Sequence, residues 1–241
     1  MDVQTSGNGS EIVVAVHGIQ GTRAVWNPVA QRLGDDFTFV LPNLRGRGAA
    51  VRGASVADYG LGRFADDLAD IIDQVVAGRP YTLAGWSMGV SVSLAYVTRR
   101  LDPSKRPQSL ILISGSSDLT ALRWFKAHEG AALLAEIAAR EQRLGLREAA
   151  DHNAVACTWR AIRDTSQRSA LAGIDLPTLI VHGSADTDSP VEQARWLADG
   201  IADSLLQVID SGGHSLPTEH ADAVAAHMIQ FLSIKRSAET S

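Results

Sequence analysis

One cysteine in 241 residues, Cys157, excludes any intrachain disulfide. Its Ala-rich, Trp-flanked surroundings read as packing rather than chemistry. Aromatic residues are few, at 5%, and no apolar run approaches the ~20 residues that a membrane-spanning helix needs. Residues 1–11 are polar and lack the basic stretch and apolar core of a secretory leader, so the expected compartment is the cytoplasm. A basic excess is missing as well. Against 27 Asp+Glu stand 22 Lys+Arg, a formal net charge of −5, which gives no long-range attraction to nucleic acid or to an anionic membrane. Arg45, Arg47 and Arg52 do cluster in a glycine-containing loop, and this cluster reads as solvated. The histidines have no metal-ligand spacing: His220 and His227 lie seven apart, and His128 and His152 stand in a different region, so neither metal nor cofactor is expected. What is present is 45% hydrophobic residues in a chain long enough to bury one substantial core.

Apolar β-branched runs alternate with helix-period segments along most of the chain. Residues 1–10 allow at most one short edge strand. Strands are expected at Glu11–Val16, Phe37–Leu41, Tyr81–Ala84, Ser109–Ile113, Pro177–Val181 and Leu205–Ile209. Helices are expected from Thr22 to Leu33, Leu61 to Val76, Val90 to Val97, Val191 to Leu197 and Pro217 to Leu232. Such alternation predicts an α/β fold with a mainly parallel sheet of six or seven strands covered on both faces. Between about 116 and 171 the rhythm stops. That stretch is rich in Ala, Glu and Arg, carries helical periodicity, and is longer than a crossover requires. The expected division is therefore a core formed by 1–115 and 172–241, with a helical insertion at 116–171.

In parallel sheets, ligands bind where the strands end, so the loops after strands carry the candidate chemistry. Gly85-Trp86-Ser87-Met88-Gly89 joins an apolar strand to a helix, the layout of a tight elbow that lifts a serine off the sheet. The glycines suit a corner where strand and helix backbones pass too closely for a Cβ. Two later loops supply partners: His182-Gly183-Ser184-Ala185-Asp186-Thr187-Asp188-Ser189-Pro190 and Asp210-Ser211-Gly212-Gly213-His214-Ser215. A serine hydroxyl needs a base to remove its proton, and imidazole serves if a carboxylate fixes its tautomer and stabilises its cation. Ser87, Asp186 and His214 meet that need, with Asp188 as a rival acid in the same loop.

Four signals together resemble the α/β-hydrolase family: His17-Gly18 after the first strong strand, Asn43-Leu44-Arg45-Gly46-Arg47-Gly48, the elbow, and Gly183-x-x-Asp186-x-x-x-Pro190 followed by Gly213-His214. The chain is most similar to small carboxylesterases of the pimeloyl-carrier-protein methyl esterase and enol-lactonase type. This resemblance implies the three-layer fold, with the insertion as a helical cap after the family's sixth core strand. It favours Asp186 over Asp188. It also implies that the backbone N–H groups of Ile19 and Met88 receive the oxyanion. Departures are Asn43 in place of the usual Asp, which removes a charge that could pair with Arg45, and Val90 where a small residue is frequent.

Around these residues, His17 reads as a loop-fixing hydrogen-bonder, His182 as a structural histidine and Gln20 as solvent-exposed or a side-chain contact to substrate. Trp26, Trp86, Trp124, Phe125 and Trp159 are candidate pocket residues. The expected activity is a cofactor-independent serine hydrolase acting on a small-molecule carboxylic ester, lactone or thioester. A cofactor-free oxygenase or perhydrolase and a non-catalytic small-molecule receptor are the alternatives. No nucleic-acid or membrane partner is expected, and nothing in the sequence sets an oligomeric state.

Overall fold

The computed structural model describes residues 1–99, 102, 105–146 and 148–239, with side chains through 234. Seven strands form one sheet: β1 (Val3–Ser6), β2 (Glu11–Val16), β3 (Phe37–Pro42), β4 (Tyr81–Trp86), β5 (Ser109–Ile113), β6 (Thr178–Gly183) and β7 (Ser204–Ile209). Their order is β1-β3-β2-β4-β5-β6-β7. Only β1 runs antiparallel, pairing Val3 with Pro42 on β3; every other pairing is parallel. The polar N-terminus thus contributes one short edge strand. The central strands β4 and β5 are buried at every residue, as parallel strands covered on both faces must be.

Alternate residues divide between two cores. Val14, Val16, Leu83, Leu110, Leu112 and Ile180 face α2 (Leu61–Ile71), α3 (Met88–Arg99) and α6 (Glu192–Gly200). Val13, Ala15, Ala84, Ile111, Leu179 and Val181 face α1 (Asn27–Leu33) and α8 (Ala221–Glu239). This period-two partition makes the three layers. Among the described residues no helix is long and apolar enough to cross a membrane.

Three helix expectations change in detail. The segment after Thr22 begins as a 3₁₀ turn, Arg23–Trp26, capped by the Thr22 side chain, before α1 starts at Asn27. Pro28 has no N–H to give the Ala24 carbonyl, which takes the Asn27 N–H instead. The second helix is α-helical to Ile71 and widens into a π-turn over Ile72–Val76, ending where Ala77 adopts φ 55°. The last expected helix is two: α7 (Leu216–Glu219) and α8, separated at His220.

The stretch 116–171 carries α4 (Gly130–Arg143) and α5 (His152–Ile162), and an antiparallel bridge between Asp118 and Ser166 closes its base. Its apolar residues Leu133, Ile137, Val155, Trp159 and Ile162 are buried and continuous with the core on the α2–α3 face. The insertion therefore shares the buried core on that face, with α5 set against the 3₁₀ turn Val56–Tyr59.

Candidate active site

Ser87 stands between β4 and α3 with φ 57°, a left-handed conformation that is strained for a residue bearing a Cβ and is forced by the corner. Its N–H donates to the Ile113 carbonyl at 2.9 Å. A Cβ on Gly85 would come 2.5 Å from the Gly89 carbonyl oxygen, and one on Gly89 would come 2.3 Å from that of Val16, so both elbow glycines are required by close backbone approach. Val90 packs against Gly115, where a Cβ would meet its side chain at 2.2 Å.

The ends of β6 and β7 bring the other two residues to this corner. His214 Nδ1 lies 2.8 Å from Asp186 Oδ2, and His214 Nε2 lies 2.9 Å from Ser87 Oγ. The carboxylate can only accept, so Nδ1 carries the proton and Nε2 presents its lone pair to the serine hydroxyl. The other Asp186 oxygen accepts the N–H groups of Asp188 and Ser189 at 2.9 and 2.8 Å, which fixes the carboxylate. Ser87, Asp186 and His214 are all nearly inaccessible, at 2%, 5% and 5% exposure. Trp86 stacks obliquely on the His214 ring, centroids 5.4 Å apart, and donates its indole N–H to the His214 carbonyl at 2.8 Å.

The loop after β2 lies against Ser87: a Cβ on Gly18 would sit 3.0 Å from that of Ser87. The Leu44 N–H donates to His17 Nε2 at 3.0 Å, so His17 Nδ1 carries hydrogen and donates to the Gly18 carbonyl at 2.8 Å. In a trans peptide the N–H of Ile19 points opposite to that carbonyl, so fixing one fixes the other. The Met88 N–H is the first of α3, where no intrahelical acceptor exists.

Burial, aided by the nearby Arg47 charge, pushes the His17 imidazole down to about 3. Burial also lowers His182, which hydrogen-bonds the Ser189 carbonyl at 2.7 Å. Groups depressed in the folded state stabilise it above the unfolded imidazole pKa of about 6.5, and that contribution is lost as pH falls toward the folded values. Urea unfolding should therefore show stability dropping below about pH 6.5, by up to about 1.4 kcal/mol per pH unit for His17 alone. A flat profile from pH 7 to 5 would contradict the neutral assignment.

The loop arginines correct the solvated reading. Only Arg52 is exposed. Arg45 makes a two-pronged pair with Asp67, 2.7 Å on each arm, and Arg47 is completely buried. Asn43 is not the Arg45 partner; it accepts from the Arg23 N–H and donates to Asp2, tying the loop to the N-terminal edge. Gln20 is also buried, bonded to the Ile137 carbonyl and to Arg140 Nη1.

Sequence reasoning missed the role of Asp188. It faces the insertion, where Arg140 Nε lies 2.9 Å from Oδ1 and Arg143 reaches both carboxylate oxygens at 2.8 and 2.9 Å. Burial alone would raise its pKa, but the Arg143 hydrogen bonds and the Arg140 charge hold it well below the carboxylate range. Asp186, Asp188 and His214 bring three possible ligand atoms within 4.8 Å of one another. Two guanidiniums already occupy Asp188, so their charge opposes a cation there.

The candidate pocket residues are dispersed. Trp26 is fully buried among the α1 and α8 side chains. Trp124 and Phe125 pack on Trp159, with centroids 5.5 and 5.7 Å apart, and Trp124 donates to the Asp188 carbonyl. Phe125 and Trp159 line a cavity of about 490 Å³ with Thr120, Arg123 and His128, and none of Ser87, Asp186 or His214 belongs to its walls.

The pattern of the alpha/beta hydrolase family matches residues 13–227. A putative non-heme chloroperoxidase from Synechocystis is 42% identical over 69 residues, a match spanning 28% of this chain and 25% of that protein. The pimeloyl-[acyl-carrier protein] methyl ester esterase of Aliivibrio salmonicida is 22% identical over 95% of this chain and 94% of its own length. A hydrolase from Pseudomonas aeruginosa PA01 superposes with a TM-score of 0.81 at 23% identity, over 95% of this chain and 93% of that one, and shows the same fold. With its strand order and its match over residues 13–227, the chain belongs to the alpha/beta hydrolase family.

Proposed function

We propose that the protein is a serine hydrolase that cleaves a carboxylic ester, lactone or thioester through an acyl-enzyme on Ser87. The observation carrying this reading is the unbroken chain from Asp186 Oδ2 through both His214 nitrogens to Ser87 Oγ, at 2.8 and 2.9 Å. His214 takes the serine proton as Oγ attacks the carbonyl, and Asp186 stabilises the imidazolium. The N–H groups of Ile19 and Met88 receive the oxyanion, donors of a kind worth about 3–4 kcal/mol each in comparable sites. His214 then protonates the leaving group, and water activated by the same ring releases the acid. Asp186 is the acid of this relay, because Asp188 is engaged by Arg140 and Arg143.

Helices α4 and α5 act in this reading as a cap. Ser87 is 2% exposed, so a substrate reaches it when the cap shifts. The likeness to a chloroperoxidase favours a second reading on the same intermediate, a perhydrolase in which hydrogen peroxide rather than water accepts the acyl group.

A fluorophosphonate probe tests the nucleophile directly. Peptide mass spectrometry after labelling is expected to place one phosphonyl group on Ser87, with none taken up by Ser87→Ala. Labelling elsewhere, or an unlabelled wild type, would remove the acyl-enzyme.

A further inference from the structure

Arg47 is a buried cation that the proposed mechanism does not use. It is 0% exposed, and among the described residues no carboxylate pairs with it. Its acceptors are neutral: Nη1 donates to the Arg45 carbonyl at 2.9 Å and to Thr158 Oγ1 at 3.1 Å, and Nη2 donates to the Ile19 carbonyl. Its Nε has no partner, and its guanidinium carbon stands 5.6 Å from the Phe64 ring centre. Burial pushes its pKa down to about 10, which still leaves it charged at neutral pH. Asp151 at the start of α5 adds an attractive charge without pairing with it, and a buried charge without a paired counter-ion opposes folding by several kcal/mol, so packing alone does not account for an arginine here.

Its contacts locate what it does. The carbonyls of three successive residues, Gly18, Ile19 and Gln20, are each held by a donor: the first by His17 Nδ1 of the same loop, the others from outside it by Arg47 Nη2 and by the Ala150 N–H. Each bond fixes the peptide plane it touches: the Ile19 N–H lies in the plane of the Gly18 carbonyl held by His17, the Arg47 bond fixes the next plane, and the two together set the backbone torsions of Ile19 and the direction of its N–H. The bond from Arg47 is charge-assisted, roughly twice as strong as a neutral one. We propose that Arg47 is a positioning residue for the oxyanion site, holding the Ile19 carbonyl so that the neighbouring Ile19 N–H meets the negative charge that develops in the transition state. This rests on the serine-hydrolase reading above. Thr158 gives the same guanidinium a contact to α5, which offers a rival account in which Arg47 only docks the insertion.

The test is steady-state turnover of p-nitrophenyl acetate, with active sites counted by fluorophosphonate titration and folding checked by thermal midpoint. Arg47→Met is expected to lower kcat by about 10- to 100-fold, short of the 10²–10³ for deleting an oxyanion donor outright, with KM within about threefold of wild type. Arg47→Lys keeps the charge and should return kcat to within about tenfold. Thr158→Val removes the α5 contact of Arg47, together with the hydroxyl's own bond to the Ala154 carbonyl, but leaves the Arg47 bond to Ile19, and should keep wild-type kcat. Should methionine fail to fold, Arg47→Gln, polar but uncharged, takes its place under the same criteria. A folded neutral variant with wild-type kcat overturns the proposal, as does a Thr158→Val variant that loses as much as Arg47→Met. A wild type without Ser87-dependent turnover removes the underlying reading, whereas Ser87-dependent turnover with unaltered kcat in Arg47→Met removes this inference alone.

Discussion

Ser87→Ala is expected to reduce kcat toward p-nitrophenyl acetate by about 10⁴- to 10⁶-fold, the range found when a nucleophile is deleted from a relay of this kind. Its thermal midpoint should not fall, because φ 57° strains serine as much as alanine. The companion substitutions separate the two acids. Asp186→Asn keeps the shape of the side chain but lets an amide face His214 Nδ1, favouring the wrong tautomer, and should lower kcat by about 10⁴. Asp188→Asn leaves the contact between Asp186 and His214 intact and should lower the kcat of folded protein by less than about tenfold. If Asp188→Asn were the more damaging of the pair at the chemical step, the acid would be misassigned and the loop would have to rearrange on binding.

Asp188 should matter more for stability than for turnover. Asp188 and Arg140 have side chains only 4% exposed, and Asp188→Asn leaves the Arg140 guanidinium buried beside a neutral amide. Breaking a buried pair by removing one partner costs about 3–5 kcal/mol. For a chain of this size that corresponds to a fall of roughly 6–20 °C in thermal midpoint. Arg143 is half exposed, at 53%, so Arg143→Gln should cost no more than about 1 kcal/mol despite similar distances. Asp188 has its pKa depressed in the fold, so its contribution is complete above about pH 4 and is lost as pH falls further toward the folded value. Calorimetry of the two variants at pH 7 checks the ranking, and an Asp188→Asn loss below about 1 kcal/mol would mean that the insertion is held by its apolar contacts alone.

The elements that position the site were legible because their causes are local. The β-branched runs Glu11–Val16 and Ser109–Ile113 form strands with those bounds, and the elbow glycines announce a corner that no Cβ fits. The order of Ser87, Asp186 and His214 could be read because each stands in a loop that ends a strand, and a parallel sheet gathers such loops at one edge. The helix ends were less legible, since Pro28 and the π-turn at Ile72–Val76 change hydrogen bonding without changing the apolar period.

The sequence by itself determined the three-layer architecture, the corner that raises Ser87 and the loops that carry its partners, because periodicity and glycine sterics act between near neighbours. Tertiary structure alone decided that Asp188 pairs with Arg140 and Arg143, that Gln20 and Arg47 are buried, and that Arg140 joins Gln20 to Asp188. In the sequence Arg45, Arg47 and Arg52 look alike; in the fold one is paired, one is buried with only neutral hydrogen-bond acceptors and one faces solvent. The state of a charged side chain depends on what surrounds it, and for Arg47 and Asp188 those surroundings come from residues 111 and 48 positions away in the chain.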